Sequence, residues 1–344
     1  MSDVLSKFFS SSLKMVEEEM EKLLSQFDLP LYNLIRYHLG WMDENGNWLG
    51  EEERRKFGGK RVRPMMLLAI NKLLGGSTRK CLPAASAIEF LHNFSLVHDD
   101  VEDGDEVRRF RPTVWKIWGV PQAVNLGSSM QAIVNLSAIS LCQNFPAEIV
   151  NKVLEELTWA IIRMTEGQYL DLVMQEGEES TISDYLDMVR KKTGTLFERA
   201  CRIAAILANR KDEVVERAGK FGMFFGLAFQ IKDDYLGIWG EPEKIGKPAE
   251  DIHKGKKSFP IVFALNKSPR REELTEILAK NEKEKEDIIR VWEILDEIGA
   301  KEYTREFCES YTDDAIFHLA RLGGKSSLRR ELEEWVRQSL RIEI

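Results

Sequence analysis

Two apolar stretches of this chain each end on a pair of adjacent aspartates. The first runs from Ala84 through Ile88, Phe90, Leu91, Phe94 and Val97 to Asp99-Asp100-Val101-Glu102-Asp103, stopped by Gly104. The second runs from Phe221 through Phe225, Leu227 and Ile231 to Asp233-Asp234-Tyr235-Leu236-Gly237. Helical stretches this apolar are buried nearly all round. Their carboxylates then fall at a helix C-terminus, where the backbone dipole is negative and favours cations. Asp99 and Asp103, four residues apart, share one face with Cβ atoms roughly 6 Å apart. Such a pair repels itself unless a hard cation bridges it. A solvated acidic helix end explains one such cluster; a second, after an equally apolar helix, points to a magnesium-dependent site. Mg²⁺ takes one or two carboxylates plus phosphate oxygens and waters, which implies a phosphate-bearing substrate.

Cations accompany both clusters. Gly58-Gly59 precedes Lys60-Arg61-Val62-Arg63-Pro64, and Arg108-Arg109-Phe110-Arg111 follows the first acidic segment directly. Lys191-Lys192-Thr193-Gly194 and the segment from Gly246-Lys247 through Asp251 to Lys256-Lys257-Ser258 add more. Arginine offers bidentate contacts to phosphate and lysine a compact point charge. Any one of these runs alone reads as a solvated surface; their position beside the aspartates gives them a functional reading.

The elements that must carry these residues are helical. The chain has 344 residues, 43% hydrophobic and 31% charged, enough to bury a large core. Apolar residues recur at helix spacing over 10–38, 63–75, 82–103, 120–143, 147–176 and 181–208, then over 212–237, 258–265, 271–297, 300–322 and 325–339. Residues 41–59 are polar and glycine-rich and read as a loop. Alternating Val, Ile and Thr runs are missing, so no β-sheet is expected. With no linker and no internal repeat, the chain reads as one all-α bundle.

A net charge of −8 with interleaved signs argues against nucleic acid as the main partner. Cys81, Cys142, Cys201 and Cys308 lie far apart, as thiols of a reducing compartment rather than a disulfide framework or zinc site. Neither a leader peptide nor roughly 20 uninterrupted apolar residues are seen, so no membrane span and a cytoplasmic location are expected.

In order along the chain, GGKRVRP at 58–64, HNFSLVHDDVED at 92–103, RRFRPT at 108–113, EGQYLDL at 166–172, KTG at 192–194, FQIKDD at 229–234 and GKPAEDIHKGKKS at 246–258 resemble the all-trans isoprenyl diphosphate (polyprenyl) synthases. The resemblance implies a single domain over 1–344: an antiparallel helical bundle around a central cavity, the type I isoprenoid synthase fold, with helix 10–38 part of it. It implies a prenyltransferase that joins isopentenyl diphosphate to allylic diphosphates, with three Mg²⁺ ions when substrate is bound, acting as a homodimer.

Carried over by position, Asp99, Asp100 and Asp103 hold metal on the allylic diphosphate, and Asp233 holds the third ion, with Asp234 and Asp251 in or near its water shell. Arg108, Lys192 and Lys247 match ligands of the allylic diphosphate, assisted by Lys256. Lys60, Arg63, His92 and Arg109 match the isopentenyl diphosphate site, and Thr193 and Gln230 match residues near the reacting carbons. Phe94 and Ser95, about one helical turn before Asp99, match positions that set product length. A ring at Phe94 with a small Ser95 resembles synthases of geranylgeranyl diphosphate, with farnesyl diphosphate the next expectation. The chain departs from the family at Gly237, where many relatives carry a third aspartate, at Gly127-Ser128 in place of Gly-Asp, and at Phe110 in place of glycine.

Three other readings are weaker. A class I terpene cyclase would carry an Asn/Ser/Glu metal motif where this chain has Asp233-Asp234. A His-Asp phosphohydrolase, suggested by His98-Asp99, needs more spaced histidines than the five present. A regulatory subunit would be expected to lose its acidic motifs.

Overall fold

The computed structural model describes residues 3–177, 180–240 and 250–342. These residues are all-α apart from one two-stranded ribbon and an isolated bridge between Met42 and Trp48. The helices are α1 (Asp3–Leu24), α2 (Leu31–His38), α3 (Glu51–Phe57), α4 (Val62–Leu73), α5 (Leu82–Glu102), α6 (Val114–Trp118), α7 (Val120–Ile139), α8 (Ala147–Glu176), α9 (Ile182–Val189), α10 (Thr195–Leu207) and α11 (Asp212–Trp239). Then follow α12 (Glu250–Lys254), α13 (Phe259–Lys267), α14 (Arg271–Leu278), α15 (Lys285–Glu297), α16 (Ala300–Ala320) and α17 (Ser326–Leu340). Among the described residues no helix is long and apolar enough to cross a membrane.

The chain divides into two compact units. The first comprises Met1–Ile161, Arg199–Gly219 and Leu322–Glu331; the second comprises Ile162–Glu198, Lys220–Arg321 and Leu332–Ile344.

In the first unit α5 is the central element, packed against α7, α4 and α1. Pro83 in its first turn lacks a donor that the helix start does not need. Its apolar residues Ala84, Ala87, Ile88, Phe90 and Leu91 are fully buried, and each larger one stabilises the unit by roughly 1.5–3 kcal/mol. Gly127 lets α7 approach closely: a Cβ there would overlap the His98 imidazole. This explains the glycine of the Gly127-Ser128 pair, while the exposed Ser128 makes no contact that explains its departure.

In the second unit, Ile238, Ile252, Ile261, Leu274, Val291, Ile294 and Leu295 form one apolar cluster. Phe259 stacks on Tyr303 and Phe307 beside it. A capping box fixes the start of α9, where Thr181 Oγ1 accepts from Asp184 N and the Asp184 carboxylate accepts from Thr181 N. α11 meets the backbone of Phe197 at Gly222, where any Cβ would overlap the Phe197 carbonyl.

The periodicity located the helices but blurred several ends. The expected helix 10–38 is two helices: α1 ends at Leu24, and Pro30 stands at the start of α2. The expected loop 41–59 contains α3, whose Glu51–Glu53 start and Arg54–Lys56 end complement the helix dipole. The expected helix 271–297 is α14 and α15, separated by the polar segment 279–284. The expected helix 181–208 is interrupted by a π-helical turn at Arg190–Gly194. The expectation of no β-structure is corrected by the ribbon Val107–Arg108 against Arg111–Pro112.

Candidate active site

The first unit holds the first aspartate motif. Asp103 N donates to Asp99 O at 2.8 Å, so the last turn of α5 reaches both carboxylates, with no basic residue in that turn to offset the dipole. Asp100 points elsewhere. It is 2% exposed, and its Oδ1 accepts from Arg108 Nε at 2.5 Å. Its Oδ2 is buried without a hydrogen-bond partner. Burial raises this carboxyl to about 6, a shift that Arg108 only partly opposes. Burial alone would weaken Arg108 too, but Asp100, Asp99 and Asp105 keep its guanidinium protonated.

The ribbon after this motif explains how Arg109 is aimed. Val107 pairs with Pro112 and Arg108 with Arg111, leaving Arg109 and Phe110 as the two-residue turn. Their φ values are +51° and +64°, as a type I′ turn requires, and such turns favour Asn-Gly. A left-handed residue with a side chain costs roughly 1–2 kcal/mol. The backbone geometry suits the family's glycine at 110, and this chain reaches it with an exposed phenylalanine. Arg111 holds the ribbon down by donating to Met42 O at 2.8 Å and stacking 3.8 Å above the Tyr37 ring.

Arg109 therefore reaches the glycine pair. Its Nη1 donates to Gly58 O at 3.1 Å, and a Cβ on Gly59, at φ +78°, would lie 2.8 Å from its Cζ. Burial and the neighbouring Arg61 lower it to about 10, so it remains a cation at neutral pH. Arg63 Nη1 lies 3.1 Å from His92 Nε2. Burial first, then Arg63, Arg109 and Arg108, keep His92 neutral. Because arginine can only donate, Nε2 is the acceptor and the ring proton is assigned to Nδ1. Lys60 is exposed.

Arg61 differs from its neighbours. It is buried, with Nε on Glu17 Oε1 at 2.8 Å, Nη1 on Glu89 Oε1 at 2.7 Å and Nη2 on Leu39 O at 3.0 Å. Of the three cations in GGKRVRP, this one ties α1 and α5 to the start of α4. Its φ of +47° turns the chain between Lys60 and Arg63. Phe94 is 7% exposed, with its ring edge-on to His98 at 5.7 Å. Ser95 Oγ donates to His92 O at 2.8 Å within the same helix.

The second unit gathers the other acids. Asp233 is exposed on α11, whereas Asp234 is buried and accepts three hydrogen bonds: from Tyr185 Oη at 2.5 Å, Phe259 N at 2.8 Å and Gln230 Nε2 at 2.9 Å. Thr193 Oγ1 donates to Gln230 Oε1 at 2.8 Å. Asp251 has a buried Oδ2 with no hydrogen-bond partner, and burial raises its carboxyl despite Lys256 at 3.9 Å. Lys256 would be weakened by burial, but Asp251, Asp234, Asp233 and Asp171 together raise it. A Cβ on Gly237 would overlap the Asp251 carboxylate, so a third aspartate at 237 has no room in this arrangement.

Lys192 Nζ donates to Asp171 Oδ2 at 2.6 Å. Burial would raise Asp171, but Lys192 outweighs it and holds the carboxyl below its ordinary value. Asp171 is absent from the candidates read from the sequence; the EGQYLDL segment contains it, but amphipathic periodicity alone does not separate it from a solvated acid. The π-helical turn presents Lys192 and Thr193 and sits tight on Gly167, where a Cβ would overlap the Lys192 backbone. Such bulges recur at functional sites. Lys247, with Gly246, lies outside the described residues.

The donor set fits a hard cation. It is made of carboxylate oxygens, those of Asp99 and Asp103 at the negative end of α5, with a buried oxygen lacking a partner in each unit. Among the described residues no three acid, histidine or cysteine side chains form a closed cage.

The polyprenyl synthetase family model matches residues 51–295. A geranylfarnesyl diphosphate synthase of Aeropyrum pernix is 36% identical over 281 residues, covering 80% of this chain and 88% of that protein. A geranylgeranyl pyrophosphate synthase of Geoglobus acetivorans is 35% identical over 319 residues, covering 92% of each. The crystal structure of a polyprenyl synthetase from Streptomyces coelicolor A3(2) superposes with a TM-score of 0.88 at 29% identity, covering 98% of this chain and all of that one.

The raised Asp100 carboxyl gives a testable sign. Its folded-state value of about 6 exceeds the unfolded one, so the folded protein binds the proton more tightly. Without divalent cations, wild-type stability at this site should fall as pH rises from about 4 to about 6 and level off above. Asp100→Asn, which mimics the neutral acid, should gain on the wild type by up to roughly 3 kcal/mol across that window in urea unfolding. An unchanged difference between pH 4 and pH 7 would contradict the shift.

Proposed function

The chain belongs to the polyprenyl synthetase family, and on that premise we propose that it condenses isopentenyl diphosphate with allylic diphosphates into a short all-trans prenyl diphosphate. The observation that carries this reading is the pairing of aspartates on apolar helices with adjacent cations, once in each unit. We read the two units as one catalytic domain, since a single family model spans parts of both.

Asp99, Asp100 and Asp103 would hold Mg²⁺ on the allylic diphosphate, and Asp233 would hold a further ion. Bound Mg²⁺ would supply Lewis-acid neutralisation of charge on the departing diphosphate. The chain's own residues do the rest. Arg108, Lys192, Lys256 and Lys247 bind the allylic diphosphate and stabilise the negative charge that grows as its C–O bond ionises. Lys60, Arg63, Arg109 and neutral His92 hold isopentenyl diphosphate, whose double bond attacks the allylic cation. Phe94 and the other apolar residues of α5 keep water from that cation. No side chain is placed as a dedicated base; the released diphosphate is the acceptor for the departing proton.

The α7 surface supports a homodimer. This 20-residue helix carries no charged residue, yet Val120, Val124, Leu136 and Ile139 are exposed on it. A second copy of the chain would cover that face, and sedimentation equilibrium should give twice the chain mass; a monomer at micromolar concentration would count against it. We place the protein in the cytoplasm because Cys81 and Cys308 are buried thiols, pushed up to about 12 by burial, as suits a reducing compartment; cell fractionation would check this.

With Mg²⁺ present, purified protein given isopentenyl diphosphate and dimethylallyl, geranyl or farnesyl diphosphate should elongate them, and a chelator should stop it. Asp99→Ala or Asp233→Ala should lower turnover by about 10²-fold or more with the fold intact. Cyclic products without elongation would instead indicate a terpene cyclase.

We propose geranylgeranyl diphosphate as the main product, because the Phe94 ring is braced by His98 while Ser95 is small. Phe94→Ala should lengthen the products, measured by chromatography of the dephosphorylated alcohols. The same length distribution in that variant would locate the floor elsewhere, with Met130 the next residue to test.

A further inference from the structure

The hydrogen bonds around Asp234 all run one way. A carboxylate can only accept, so Gln230 must turn its amide nitrogen toward Asp234 and its carbonyl away from it. That carbonyl accepts from Thr193 Oγ1 at 2.8 Å. The one hydroxyl proton of Thr193 is thereby committed, and its oxygen presents lone pairs to anything else it meets. At the other end Tyr185, 1% exposed, donates to Asp234 Oδ2 at 2.5 Å, beside the Phe259 amide at 2.8 Å. A phenylalanine would fill the same apolar space beside the Phe259 ring, 5.4 Å away. The Tyr185 hydroxyl is therefore present for Asp234.

We propose that Tyr185 is a positioning residue that, through Asp234 and Gln230, fixes the Thr193 hydroxyl as an oriented acceptor for the positive charge of the allylic cation. The proposal rests on the prenyl-transfer reading and adds to it a direction. Tyr185 and Phe259 pin the carboxylate, the carboxylate sets the amide, and the amide sets the threonine rotor. Hydrogen bonds arranged in series polarise one another, so the negative charge of Asp234 is felt at the Thr193 oxygen. An acceptor fixed before ionisation needs no reorganisation when the cation forms, and its effect belongs to turnover rather than to substrate binding.

The test is a double-mutant cycle with Tyr185→Phe and Thr193→Val, reading kcat and both Michaelis constants together with the thermal midpoint. Tyr185→Phe should lower kcat by about fivefold and Thr193→Val by about fiftyfold, with both Michaelis constants within about twofold of wild type. The double variant should be no slower than Thr193→Val alone, because Tyr185 acts only through that hydroxyl. Multiplying losses, a loss confined to the Michaelis constants, or a wild-type kcat in Tyr185→Phe would each overturn the proposal. If Tyr185→Phe does not fold, Gln230→Leu interrupts the same series, and the same lack of additivity with Thr193→Val is expected. A wild-type protein that elongates no allylic diphosphate overturns the prenyl-transfer reading itself; one that elongates with multiplying losses overturns only the role of Tyr185.

Discussion

Carboxylates crowded along buried helices repel one another, and much of this structure manages that repulsion. In the first unit Arg108 takes up one oxygen of Asp100. In the second, Lys192 holds Asp171 and Lys256 lies among four acids. The compensation is incomplete. Asp100 and Asp251 each keep a buried oxygen without a hydrogen bond, a condition that costs free energy in the metal-free protein.

The cations are governed by backbone strain as much as by charge. Arg61, Arg109 and Phe110 all occupy the left-handed region that side chains avoid. Each is held there by something specific. Glu17 and Glu89 fix Arg61, and the two-residue turn, anchored through Arg111 and Tyr37, fixes Arg109 and Phe110. The outcome is that Arg63 and Arg109 stand beside a neutral His92. Strain of this kind persists where the surroundings over-determine it, and it recurs at ligand sites.

The two acidic motifs look alike in sequence and differ in use. In the first, Asp99 and Asp103 lie on one helix face while Asp100 turns inward to Arg108. In the second, Asp233 is exposed while Asp234 is tied into three hydrogen bonds and orients Gln230. In both motifs the paired aspartates divide the work, one carboxylate of each pair being used inside its own unit. Gly237 belongs to the same arrangement, since it leaves room for the Asp251 carboxylate.

The helical class, the positions of the main helices and the two acidic motifs were legible in the sequence, because 3.6-residue periodicity and i, i+4 spacing are local properties of a chain. The ordered motifs carried the family for the same reason. The break between α1 and α2 and the π-helical turn were less legible, since apolar spacing continues across them. What the sequence could not separate was which charged groups are neutralised inside. Arg61 stands between Lys60 and Arg63 in one cationic run and is a buried tie between helices, while Asp171 was not singled out and is the partner of Lys192. Glu17, 44 residues before Arg61, and Gln230, 37 residues after Thr193, reach their partners only by folding. Burial and partnership across such separations depend on the packed chain, because the electrostatic balance of an ionised group is set by all that surrounds it in space rather than by its neighbours in sequence.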